Sequence, residues 1–149
     1  MLDGHVTHVA VRMIHVLAAT VLVGGSFGLA VAGWGSPMAQ RGSAFVANAA
    51  RYEIAFWVAF GAIVATGVGN LGVFGLGLRG PETDWGRMLS VKLGLVVVLA
   101  LVSAVRAMAV IRLRDLGTAR GVGSFGRWYA ATSALTGAIV CTAVWLAHG

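Results

Sequence analysis

Four apolar stretches, at residues 9–33, 54–78, 88–111 and 128–147, fill almost the whole of a 149-residue chain. At about 1.5 Å per helical residue, each is long enough to cross a hydrocarbon core of ~30 Å. Lipid offers the backbone no hydrogen-bond partner, so each stretch has to satisfy its own N–H and C=O groups as a helix. Short connections make successive helices antiparallel. The expected fold is all-α, an integral membrane antiparallel four-helix bundle forming a single domain over residues 1–149.

Hydrophobic residues make up 58% of the chain and charged ones 11%, with a mean hydropathy of +0.87. A domain of this size could not expose that composition to water, so the lipid bilayer is the expected surrounding. The first stretch is too long for a cleaved signal peptide and follows Asp3 and two histidines in place of a lysine-rich segment. It reads as a retained span. Residues 34–53 read as a polar connection containing Gly and Ser, 79–87 as a tight Pro/Gly loop and 112–127 as a basic Gly-rich one. These connections leave no room for a soluble domain.

The net charge of +6 does not point to nucleic acid here, because it divides between two membrane faces. Arg41, Arg51, Arg112, Arg114, Arg120 and Arg127 fall in the two connections on one side. On the other side Arg12, Arg79 and Arg87 are offset by Asp3, Glu82 and Asp84. The positive-inside rule then places both termini and the central loop outside the cytoplasm, in a multi-pass membrane protein. The single cysteine, Cys141, lies inside the fourth stretch and reads as a small buried residue. Gly24 and Gly28 form a G-x-x-x-G in the first helix, and Ala65, Gly69 and Gly72 place small residues in the second, a pattern of close helix contact.

A helical step of 100° puts His8, His15, Ala19, Ser26, Ala30 and Gly33 on one stripe of the first helix, with Leu22 at its edge. That stripe should face the bundle interior. His15 lies about two turns inside the span, where an ionisable group is costly and points to function. The third helix repeats the pattern with Met88, Lys92, Leu99, Ser103 and Arg106. Lys92 enters from the same face as His15, so the two are expected to line one polar pocket. Arg106 lies toward the opposite face, with Glu53 as its counter-charge in a structural ion pair. His5, His8 and His148 gather at the outer helix ends, and with His15 they form the candidate metal ligands, since neutral imidazole suits copper, zinc or haem iron.

The run W-G-R-M-L-S-V-K-L-G-L-V at 85–96 resembles the Y-G-R-x-L-x-x-K-L signature of copper-resistance D (CopD) membrane domains. R-M-I-H-V-L-A-A-T-V-L-V-G-G at 12–25 is similar to the H-x-x-A-A-x-x-W-x-G-G opening helix of the same family. A histidine in the first span and a lysine in the third also look like HemJ, the haem-containing protoporphyrinogen oxidase family, and F-G-R-W-Y at 125–129 echoes its segment before the fourth helix. Leu22 stands where the CopD family usually has tryptophan, Trp85 replaces the tyrosine, and the second-helix proline of HemJ is absent. The departures favour a divergent CopD-like protein. The resemblance implies His15, Arg87 and Lys92 as cofactor-binding positions.

Three functions are compatible with these residues. In the first, outer-face histidines, with Met13 and Met88 as soft ligands, receive copper from a periplasmic donor and pass it into the bundle. In the second, the chain holds haem b for electron transfer or porphyrin oxidation, His15 being an axial ligand while Arg87 and Lys92 hold propionates. In the third, it is a cofactor-free accessory subunit of a larger membrane complex or a homo-oligomer.

Overall fold

The computed structural model describes residues 2–34, 38–73, 80, 82–116 and 122–148, with the side chains of 2–5, 38–41, 69–73, 122–123 and 147–148 left outside the description. The chain runs through α1 (Leu2–Trp34), α2 (Met38–Val73), α3 (Asp84–Asp115) and α4 (Val122–His148). All four are long and apolar enough to cross a membrane. Helix α1 packs on α2 and α4, and α3 closes the bundle against the same two, so α1 and α3 occupy opposite corners.

The surface explains why lipid is the solvent. Val16, Leu17, Ile54, Val58, Leu101 and Trp145 are more than half exposed, each between 63% and 70%. Ser26, Glu53, Ser103, Arg106, Thr132 and Thr136 are instead buried. Apolar outside and polar inside suits a bundle whose exterior meets acyl chains. The expected stripe of α1 faces inward: Leu22, Ser26, Ala30 and Gly33 are buried, and His8, His15 and Ala19 are half-buried. On α3 Leu99, Ser103, Arg106 and Val110 form the matching face.

Three expectations change. Helix α2 starts at Met38, so most of the segment read as a polar connection is helical. Ala44, Ala47, Ala49 and Ala50 are strong helix formers, and Phe45, Ala49, Glu53 and Phe56 recur at helical spacing as its buried face. One face of this segment packs on protein, through Phe45 and Ala49 against Ala30, Val110 and Tyr129. Gly24 and Gly28 do not mark a helix contact within the bundle, because a Cβ on either would meet open space. The close approaches are at Gly25, which lies against the Tyr52 ring, and at Gly33, where a Cβ would stand 2.7 Å from the Gly126 Cα. Cys141 is exposed on α4, one helical step from the half-buried Thr142; an uncharged thiol can face lipid without cost.

Candidate functional site

His15 is half-buried on α1, with its Nδ1 2.7 Å from Thr66 Oγ1 on α2. Thr66 in turn donates to the Ala62 carbonyl at 2.6 Å, with the Ile63 carbonyl at 3.2 Å. The imidazole is therefore anchored to the neighbouring helix. Lys92 is half-buried on α3. His15 and Lys92 both lie in the half of the bundle where α3 begins.

At that end, Thr83 caps α3 by accepting from the Gly86 N–H at 3.1 Å, while its hydroxyl donates to the Gly80 carbonyl at 2.8 Å. The cap satisfies one of the unpaired first-turn donors and fixes where the helix starts. Arg87 is solvent-facing and pairs with Asp84 one turn earlier at 2.7 Å. An exposed pair of this kind contributes little to stability. A cavity of about 840 Å³ opens here between the start of α3 and the end of α4, lined by Glu82, Asp84, Trp85, Arg87, Met88 and Trp145 among others. His15 and Lys92 are not among its lining residues; Lys92 sits one turn inward of Met88.

His8 is half-buried on α1, and the side chains of His5 and His148 lie outside the described residues. His8 and His15 are two turns apart on one helix, about 10 Å along its axis. Met13 is 59% exposed on the lipid side, away from His15. Among the described residues, no group of three or more His, Cys, Asp and Glu side chains is placed to hold one metal ion. The two histidines whose side chains are described, His8 and His15, both lie on α1.

The opposite half of the bundle holds a closed charge network. Arg106 Nε donates to Glu53 Oε1 at 2.8 Å and Nη2 to Oε2 at 3.1 Å, a two-pronged grip, while Nη1 donates to Thr132 Oγ1 at 2.5 Å. Tyr129 donates its phenolic proton to Glu53 Oε1 at 2.7 Å. The guanidinium carbon also lies 4.7 Å from the Phe56 ring centre and 4.6 Å from that of Tyr129. Arg106 is fully buried and Glu53 is 5% exposed, so each charge depends on the other and on the aromatic faces for solvation. The expected ion pair is present. Sequence reading did not anticipate Tyr129 and Thr132, which tie α4 into it, nor Tyr52, whose hydroxyl donates to the Leu22 carbonyl at 2.9 Å beside Ser26.

A family model described as CopD, Copper resistance protein D, matches residues 46–146, more than half of the chain. The chain belongs to the CopD family. No curated protein and no solved structure matches it significantly. The match to the CopD model takes in Arg87, Lys92 and the whole Glu53–Arg106 network, and it begins after α1. Within this CopD-family bundle His15 is thus singled out by its span position and its bond to Thr66 rather than by the matched region.

Proposed function

We propose that this CopD-family protein handles copper at the outer face of the membrane, taking the ion at histidines of one bundle end and passing it inward. The observation that carries the reading is His15, a half-buried imidazole inside a span, anchored by Thr66. Imidazole nitrogen binds copper well, and an ionisable side chain at this depth calls for a functional reason. His8 and His15, two turns apart, are successive stations for the ion, with His5 and His148 as further ligands at the entrance. Met88, in the cavity wall beside Glu82 and Asp84, adds a soft ligand near the mouth. Arg87 and Lys92 carry positive charge and do not bind a metal cation.

Purified protein supplied with copper is expected to retain the metal by elemental analysis and to show no Soret band. A Soret band at stoichiometric intensity would overturn copper handling in favour of the haem alternative. Absence of both copper and haem would leave the accessory-subunit role.

The same reading places both termini on the outer, periplasmic side of a bacterial inner membrane. Arg51, Arg112, Arg114 and Arg127 are exposed, and all belong to the half of the bundle where α3 ends and α4 begins. Alkaline phosphatase fused after Gly149 should be active, and a fluorescent protein fused there and exported unfolded should stay dark. The reverse pattern would put the histidines on the cytoplasmic side and end the idea that they meet incoming metal.

A further inference from the structure

Thr66 has one hydroxyl proton and three neighbours that compete for it. Its Oγ1 lies 2.6 Å from the Ala62 carbonyl and 3.2 Å from that of Ile63, both on its own helix, and 2.7 Å from His15 Nδ1. A carbonyl oxygen only accepts, so the short contact to Ala62 uses the threonine proton. The oxygen is left with lone pairs alone to offer the imidazole. A contact of 2.7 Å between that oxygen and a bare ring nitrogen would set two lone pairs against each other. Nδ1 must therefore carry a proton and donate it.

We infer that Thr66 is a positioning residue that fixes His15 as the Nδ1–H tautomer, leaving Nε2 as the one ring nitrogen with a free lone pair. Among the described residues no hydrogen-bond partner meets Nε2. A neutral imidazole has one donor nitrogen and one acceptor nitrogen, and the bond made by one decides the role of the other. Thr66 thus acts as an outer-shell partner does in metal sites, holding both the ring plane and the proton. That copper is what Nε2 receives rests on the function proposed above. The tautomer itself does not, because it follows from proton counting on α1 and α2.

The test is nitrogen NMR of the full chain, labelled with ¹⁵N-histidine and held in lipid nanodiscs without metal, at a pH high enough to keep the ring neutral. The His15 signals are identified by their loss in His15→Ala. Wild type should show a protonated Nδ1 and a bare Nε2. Thr66→Ser, which keeps the hydroxyl, should give the same pattern, whereas Thr66→Val should move the ring toward Nε2–H, the form that free histidine favours. Nε2–H in the wild type, or an Nδ1–H form unchanged in Thr66→Val, would overturn the inference. The wild-type spectrum alone decides the first point, so a poorly folding variant does not blunt the test.

Copper titration of the same samples separates this inference from the function it refines. Thr66→Val should bind copper about 10–100-fold more weakly than wild type, with Thr66→Ser close to wild type. If the spectra are as expected but neither Thr66→Val nor His15→Ala alters copper affinity, the tautomer stands and copper binding at His15 falls.

Discussion

Glu53→Ala is expected to cost the bundle about 3–5 kcal/mol, a large part of the ~5–15 kcal/mol that holds a typical domain folded. The loss follows from what is left behind. Arg106 would keep a full positive charge at 0% exposure, with only Thr132 and two ring faces to solvate it. Tyr129 would also lose the acceptor of its phenolic proton. Arg106→Ala should cost a similar amount by stranding the carboxylate. The double substitution of Glu53 and Arg106 by leucine should cost clearly less than the two single losses added together, because no buried charge then goes unpaired. Thermal unfolding in detergent, followed by tryptophan fluorescence, measures all three. Single losses below about 1 kcal/mol would mean that water reaches the pair and that the network is not closed.

His15→Ala is expected to remove most of the copper that the purified protein retains, since it deletes the nitrogen ligand itself. Lys92→Met should keep the metal, because an ammonium donates hydrogen bonds and has no lone pair for a cation. The contrast between these two variants is the informative quantity, as both remove a half-buried polar group from the same half of the bundle. Copper at wild-type stoichiometry in His15→Ala would reject His15 as a ligand. An equal loss in both variants would indicate a general loosening of the outer half, with no particular role for the imidazole.

Much of the architecture could be read from the sequence because the membrane simplifies the code. A polar residue inside a span has few places to go, so the spacing of His8, His15, Ser26 and Ala30 gave the inward face of α1, and that of Leu99, Ser103 and Arg106 gave the inward face of α3. The Glu53–Arg106 pair was legible because two opposite charges in neighbouring spans have few other partners. Hydroxyls carry no such signal. Thr66, Thr132 and Tyr129 have ordinary reasons to occur in a helix, and only coordinates distinguish a threonine that merely bonds its own backbone from one that also holds a histidine. The start of α2 escaped for a different reason. Phe45 and Ala49 pack against Ala30, Val110 and Tyr129, so a weakly hydrophobic start is nevertheless helical. The CopD signature pointed to Arg87, and the geometry gives that side chain an exposed partner, Asp84, on its own helix.

The Arg106 network has a mechanical side. It joins α2, α3 and α4 at a single level through bonds that tolerate little sliding, and the Gly33–Gly126 contact brings α1 against α4 in the same half. One half of the molecule is in effect riveted. In the half containing His15 and Lys92, the hydrogen bond from His15 to Thr66 ties α1 to α2. Any splaying of the helices about the riveted base would open most at the far ends and would stretch the bond that orients the imidazole.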